Sequence, residues 1–536
     1  MNNLLFFRFA IDFFRVFLYK ETPAGDIFCI EPGENAMLLK KYPSREEFQV
    51  MTKEGSVVPV GMKILADKET PVSILSRFAE RAPNLFLLES AEGGENWGRY
   101  SFLGISAYST ITVFSRDVLI RQGIEEQRIP HHNDPFAVLR QLIAPYRLAH
   151  LPGLPPFCGG LVGYFSYECI HFIEPRVPNT LPPDAPMAEF IIPDTLLVFD
   201  NIAHTLDIIA LSFESESETD KRYDHAVAKV EEVYNIILTR NPNDELKNRT
   251  PLTMPQPTMP PESYKNMVRS VKRNIYEGDV IQCVLSQSFV GPAPDDLVSL
   301  YRSQRYINPS PYLYFIKANG CTLIGSSPET MIRLNQRSAC LRPIAGTRHR
   351  GKTEQEDRRL ADELLQDEKE RAEHLMLVDL GRNELGRVSI PGSVQVTDLM
   401  IVERYSHVMH LVSNITSDVE DGYDAFDLFK YSFPAGTLSG APKIRAMELI
   451  AELEKEPRGP YGGAVGYVSF DGNMDFAICI RTAEARHGRL TIRAGAGIVA
   501  DSDPDFECQE TINKAGSIAR SIEMLKELQD ADLWKV

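Results

Sequence analysis

Two pairs of glutamates carry a spacing with chemical meaning. Glu370 and Glu373 stand three apart in Glu370-Arg371-Ala372-Glu373, and Glu507 and Glu510 three apart in Glu507-Cys508-Gln509-Glu510. On a helix each pair shares a face, where two carboxylates repel unless a cation or a basic group lies between them. One such pair in an acidic chain is an ordinary solvated helix face. The second, directly after the Gly-rich run Arg493-Ala494-Gly495-Ala496-Gly497, gives the pattern its weight. Hard oxygen donors point to Mg²⁺ that keeps waters and a substrate oxygen, rather than to zinc.

A third carboxyl, Glu329, closes Gly325-Ser326-Ser327-Pro328-Glu329 at the end of an expected strand over 322–325. It becomes a general acid if its surroundings are dry enough to raise its pKa. The turn Gly436-Thr437-Leu438-Ser439-Gly440-Ala441-Pro442-Lys443 has the wrong glycine spacing for a nucleotide phosphate loop. Its backbone N–H groups, and those around Gly495 and Gly497, suit a carboxylate, because close backbone approach needs residues without bulk. Arg481, and Arg348 in Pro343-Ile344-Ala345-Gly346-Thr347-Arg348, are the candidate cations for that carboxylate.

These groups need elements to hold them. Ahead of about residue 240 the chain reads as short β-type runs, such as 109–114 and 190–199, divided by Pro and Gly turns. The Pro-, Asn- and Thr-rich stretch near 240–262 is the best linker. Beyond it strands alternate with helices, expected over 262–276, 354–380, 441–453 and 512–528. One echo links the halves: Gly159-Gly160-Leu161-Val162-Gly163-Tyr164 against Gly462-Gly463-Ala464-Val465-Gly466-Tyr467. It fits a duplicated β architecture.

Composition narrows the classes. The 536 residues are 43% hydrophobic, a globular value that excludes a disordered chain. A net charge of −17 argues against nucleic acid as the main partner. The eight cysteines form no C-x-x-C pair, so reduced thiols in a cytosol are expected. The apolar run at 4–18 is interrupted by Arg8, Asp12 and Arg15, which disfavours both a membrane span and a signal peptide. The remaining readings of this stretch are an amphipathic interfacial helix, a docking segment or, the preferred one, an N-terminal extension over 1–36 outside the fold, with Met37 as the real start.

From about 260 to 525 the chain resembles the chorismate-binding enzymes, and most specifically the large subunits of anthranilate synthases. The matching stretches are Tyr276-Glu277-Gly278-Asp279, Ser327-Pro328-Glu329, 343–348, 370–385, 436–443, 461–467 and 494–510. Leu87-Leu88-Glu89-Ser90 and Arg99-Tyr100-Ser101 are similar to the family's N-terminal lobe. The resemblance implies an α+β fold of two packed antiparallel sheets flanked by helices, pseudo-duplicated. It divides the chain into an extension (1–36), a lobe with tryptophan regulatory elements (37–245), a linker (246–262) and a catalytic domain (263–530).

By the same resemblance the chain is a cytoplasmic lyase of tryptophan biosynthesis. It makes anthranilate and pyruvate from chorismate and ammonia with Mg²⁺. Glu373 and Glu510 stand at the metal-ligand positions, with Glu370 and Glu507 in support. Glu329, His410, Gln282 and Thr437 take catalytic positions. Gly346, Thr347, Tyr461, Arg481, Gly495, Ala496 and Gly497 form the chorismate cradle. Glu89, Ser90, Pro311, Tyr312, Leu313 and Tyr467 resemble the tryptophan feedback site, with Leu313 where the family usually has Met. None of the cysteines sits in a glutaminase-type nucleophile sequence, so a separate amidotransferase subunit is expected to supply ammonia.

Two positions separate this chain from its relatives by chemistry. Gln282 replaces the lysine that activates water in isochorismate synthases, and a neutral amide cannot serve as that base. Ala345 replaces the nucleophilic lysine of many aminodeoxychorismate synthases, and a methyl group forms no covalent adduct. Aminodeoxychorismate synthase is the alternative enzyme, and a non-catalytic metabolite-binding relative the alternative of another class.

Overall fold

The computed structural model describes residues 40–91, 98–214, 218–239, 252–405 and 408–530, with backbone alone for 19–21, 27–29 and 528–530. The expectations for residues 1–36 and for 246–251 lie outside these, apart from a short antiparallel pair, Tyr19–Glu21 with Ile27–Cys29.

Two large antiparallel sheets share their two longest strands, Tyr100–Val113 and Ala188–Asp200, which pair along their whole length. The 190–199 run is almost continuously apolar and is buried on both faces, as a strand inside two layers requires. Its pairing with Tyr100–Val113 loses register between Ile192 and Leu196, around Pro193. A proline removes one ladder hydrogen bond, and a bulge bends the strand, so each shared strand passes from one sheet into the other.

On one side the sheet runs through Leu85–Glu89, Tyr312–Ala318, Cys321–Ser327, Thr482–Arg486 and Arg489–Ile498 to Gln282–Pro292. Strands from early and late sequence thus alternate within one layer. On the other side Gly160–Phe165 pairs with Ala464–Ser469, followed by Met474–Ile478 and Thr330–Asn335. The strand Val408–Asp418 carries Ile344–His349 on one edge and Gln395–Arg404 on the other.

The sequence echo becomes a local two-fold. Gly163 and Gly466 face each other in register. A Cβ at Gly163 would lie 1.9 Å from the Glu189 carbonyl oxygen, and one at Gly466 2.0 Å from that of Asp475. Both glycines are fixed by the same close approach of a neighbouring strand.

The helix expected over 354–380 is two helices, Glu354–Gln366 and Glu368–Gly386. Asp367 ends the first in an extended conformation and caps the second, its carboxylate accepting from Lys369 N and Glu370 N. The last helix, Pro504–Asp530, starts eight residues before the expected 512 and therefore carries both Glu507 and Glu510. Among the described residues no helix is long and apolar enough to cross a membrane.

Candidate active site

Glu329 stands in the turn between Cys321–Ser327 and Thr330–Asn335, its carbonyl held by Ile478 N at 3.0 Å. It lines an inner cavity of about 250 Å³ with Thr347, His410, Thr437, Tyr461 and Arg481. Burial pushes the Glu329 carboxyl up to about 7. A hydrogen bond from Thr437 Oγ1, at 3.0 Å, and the charges of Arg481 and Lys514 only partly oppose this. An acid that holds its proton near neutral pH can give it to a leaving group.

His410 lies on Val408–Asp418. Its Nδ1 is 2.9 Å from the Gly346 carbonyl oxygen and 3.1 Å from Thr347 Oγ1. A carbonyl only accepts, so Nδ1 carries the proton and Nε2 keeps a lone pair. Burial pulls the imidazole pKa down, which favours that neutral form.

Arg481 has a left-handed backbone, φ 49°, in the turn that leads to the strand Thr482–Arg486. Burial lowers its pKa, with the charge of Glu329 acting against this. Among the described residues its guanidinium has no carboxylate within salt-bridge distance. A cation withdrawn from water needs an anion, and here the space beside it is the cavity.

Strand alternation turns Gly495 and Gly497 toward the inner cavity. Ala496 faces the other way, fully buried in the apolar core, and is not part of the wall. A Cβ at Gly495 would lie 2.7 Å from Tyr461 Oη, so the bare backbone lets that ring reach the cavity.

An outer cavity of about 550 Å³ shares Ile344, Ala345, Thr437, Gly497 and Lys514 with the inner one. Its wall holds all four glutamates of the two pairs: Glu370 and Glu373 from one helix, Glu507 and Glu510 from the other. Gln282 joins them, its Nε2 donating to Glu373 Oε1 at 3.2 Å. Among the described residues no three acidic, histidine or cysteine side chains converge closely enough to hold an ion by themselves.

Lys514 escaped the sequence reading. It reaches both cavities, donating to the Gly495 carbonyl at 3.1 Å and pairing with Glu510 at 2.6 Å. Once the helix begins at Pro504, Glu507, Glu510 and Lys514 fall at i, i+3 and i+7 on one face. Arg348 is corrected in the opposite direction. It pairs with Asp367 at 2.7 Å and Glu370 at 3.2 Å, and so steadies the helix instead of meeting a substrate carboxylate. The Gly436–Lys443 turn contributes the Thr437 hydroxyl, while Lys443 pairs with Glu384.

A separate cavity of about 190 Å³ is lined by all six residues Glu89, Ser90, Pro311, Tyr312, Leu313 and Tyr467. Glu89 accepts from Tyr301 Oη at 2.6 Å and pairs with Arg305 at 2.7 Å. Tyr312 Oη donates to Asp475 at 2.8 Å and lies 3.0 Å from Thr330 Oγ1. Arg333 and Asp475, which the sequence reading did not name, complete the polar side of this cavity.

A buried acid, an arginine whose guanidinium meets no carboxylate at salt-bridge distance among the described residues, and two carboxylate pairs around joined cavities suit the chemistry of a small anionic substrate. The model of the chorismate binding enzymes matches residues 85–520, and the chain belongs to that family. It is 43% identical over 495 residues to anthranilate synthase component 1 of Pseudomonas aeruginosa, covering 90% of this chain and 99% of that one. To the Aquifex aeolicus protein of the same name it is 42% identical over 492 residues, with 91% and 99% covered. The crystal structure of anthranilate synthase component I from Streptococcus pneumoniae superposes with a TM-score of 0.71 at 35% identity, covering 85% of this chain and 99% of that one. The menaquinone-specific isochorismate synthase of Escherichia coli shares the fold at 18% identity, with a TM-score of 0.64 and coverage of 89% and 98%.

Proposed function

We propose that this chain is the chorismate-converting subunit of an anthranilate synthase, forming anthranilate and pyruvate from chorismate and ammonia. The observation that carries the reading is Arg481, a buried cation beside the acid Glu329 whose guanidinium, among the described residues, meets no carboxylate at salt-bridge distance and lines the cavity. Chorismate brings two carboxylates. Arg481, Tyr461 and the backbone at Gly495 hold one of them in the inner cavity, and the other lies toward the glutamates and Lys514.

Glu373 and Glu510, supported by Glu370 and Glu507, are hard oxygen donors that would hold a divalent cation of the Mg²⁺ type beside that carboxylate. Mg²⁺ bound there supplies charge neutralisation for that carboxylate. Ammonia adds at C2 while the C4 hydroxyl departs as water, taking its proton from Glu329. His410, its Nδ1 proton held on the Gly346 carbonyl, then takes the C2 proton at Nε2 as the C3–O bond breaks; the enolate of pyruvate departs and takes a proton at its methylene carbon, giving pyruvate, while the added ammonium returns a proton to Glu329. Gln282 and Ala345 line these cavities where the relatives' lysines would act, so neither water activation nor a covalent lysine adduct competes.

Ammonia comes from a separate glutamine amidotransferase subunit, and the cysteines of the described residues, all free thiols, suit a cytosolic enzyme. Tryptophan is the inhibitor in the Glu89 cavity, where its ammonium meets a buried carboxylate and its ring the apolar wall. The test is product identity with purified protein, chorismate, Mg²⁺ and ammonium. Fluorescent anthranilate with equimolar pyruvate is expected; aminodeoxychorismate without pyruvate would overturn the reading.

A further inference from the structure

Behind the inner cavity lies a buried charged cluster that the chemistry above does not use. Arg458 is 5% exposed and follows the helix Lys443–Leu453. Its guanidinium grips Glu454 with two donors, Nε at 2.9 Å and Nη2 at 2.7 Å. It also donates to two backbone carbonyls, Leu438 O from Nη1 and Val284 O from Nη2, each at 2.7 Å. Glu454 is held in turn by Ser286 N at 2.7 Å and Arg493 Nη2 at 2.8 Å. Val284, Leu438, Tyr461 and Arg493 line the inner cavity, whereas Arg458 and Glu454 do not.

Leu438 belongs to the single helical turn Gly436–Ser439, whose N-cap residue makes no side-chain capping bond. Thr437, the residue before it, donates to the acid Glu329. Leu438 N and Ser439 Oγ both bond the Ala435 carbonyl and Gly440 pairs with Cys283, so the Arg458 donor on the Leu438 carbonyl fixes the one end of this short turn that its own bonds leave open. Arg458 is itself fixed from the N-terminal half. Its backbone N donates to Glu168 at 2.6 Å, Gly459 N does so at 3.1 Å, and the Tyr167 ring lies 4.5 Å from the guanidinium.

We infer that Arg458 is the positioning residue of the acid. Its planar fork ties Glu454, the Val284 strand and the Leu438 carbonyl together, and so sets the Thr437 hydroxyl against Glu329. The inference rests on the reading of Glu329 as general acid. A lysine keeps the charge but cannot serve the bidentate carboxylate and both carbonyls at once. The Thr437 bond favours the ionised carboxylate, so its loss lets Glu329 keep its proton to higher pH. The charged and titratable groups that share the cavity with Glu329 are Arg481, Lys514, Arg493, His410 and Tyr461; none is bonded to Arg458, and Arg493 meets it only through Glu454.

The test compares Arg458→Lys, Thr437→Val and the double variant in the ammonia-dependent reaction across pH. Arg458→Lys is expected to lower kcat by about 10–100-fold with little change in KM for chorismate. It should also move the alkaline limb of kcat/KM to higher pH, as Thr437→Val does, and the double variant should show no further movement of the limb. Should Arg458→Lys fail to fold, Tyr167→Leu removes the ring under the guanidinium and should move the limb the same way by less. An unmoved limb in folded Arg458→Lys, or in Tyr167→Leu where that variant replaces it, overturns the inference. Full activity of Glu329→Gln overturns instead the acid reading beneath it.

Discussion

Glu329 and Glu89 are buried almost equally, 9% and 7% exposed, yet they keep different company. Glu329 has one neutral donor, Thr437, and feels its cations only at a distance, so burial dominates and its carboxyl holds a proton near neutral pH. Glu89 has Tyr301 and Arg305 directly on its carboxylate. The first environment makes an acid that can give up a proton. The second holds the carboxyl in place beside the cavity, where it can meet a ligand's ammonium. On the proposed reading one residue type acts as the acid in one cavity and as a ligand's counter-charge in the other, and the neighbouring groups decide which. The cavities are also neighbours, because Leu313 pairs with Glu89 on one side and with Ser326, three residues before Glu329, on the other.

Glu329→Gln keeps the shape and removes the proton, and should cost about 10²–10⁴-fold in kcat. Glu507→Gln weakens support for the cation site and should raise the Mg²⁺ concentration needed for half-maximal rate about 10–100-fold. The pH profile sharpens the contrast further. Since the acid must be protonated, kcat/KM should fall as pH rises through about 7, the value to which Glu329 is pushed, and by about tenfold per unit beyond it. Ser90→Phe, which fills the Glu89 cavity, should relieve tryptophan inhibition and leave the ammonia-dependent rate within about twofold, because surface-lining changes away from the chemistry are nearly neutral.

Much of the site was legible in the sequence because its parts are local motifs. The E-x-x-E pairs, the acid after Pro328 and the glycines at 495 and 497 all line the two joined cavities. What escaped depends on boundaries and on non-local neighbours. Lys514 joins Glu507 and Glu510 only if the last helix begins at Pro504, and the sequence placed its start at 512. Asp367 is hidden in an acidic run that reads as one helix until its cap geometry divides it. Arg333 and Asp475 reach the Glu89 cavity through strand pairing that no local pattern specifies. Arg348 sits in the right motif, but its side chain is claimed by Asp367 and Glu370. The glycine echo was visible, whereas the direct pairing of Gly163 with Gly466 is a matter of register.

The most direct test carries Glu329→Gln and Glu89→Gln through one assay, anthranilate formation from chorismate and ammonia with and without tryptophan, beside a calorimetric titration with tryptophan. Glu329→Gln should lose turnover and still bind tryptophan like the parent protein. Glu89→Gln should keep turnover and lose both tryptophan binding and inhibition. Loss of turnover in Glu89→Gln with inhibition intact, or normal turnover in Glu329→Gln, would contradict the division of roles between the two buried carboxyls.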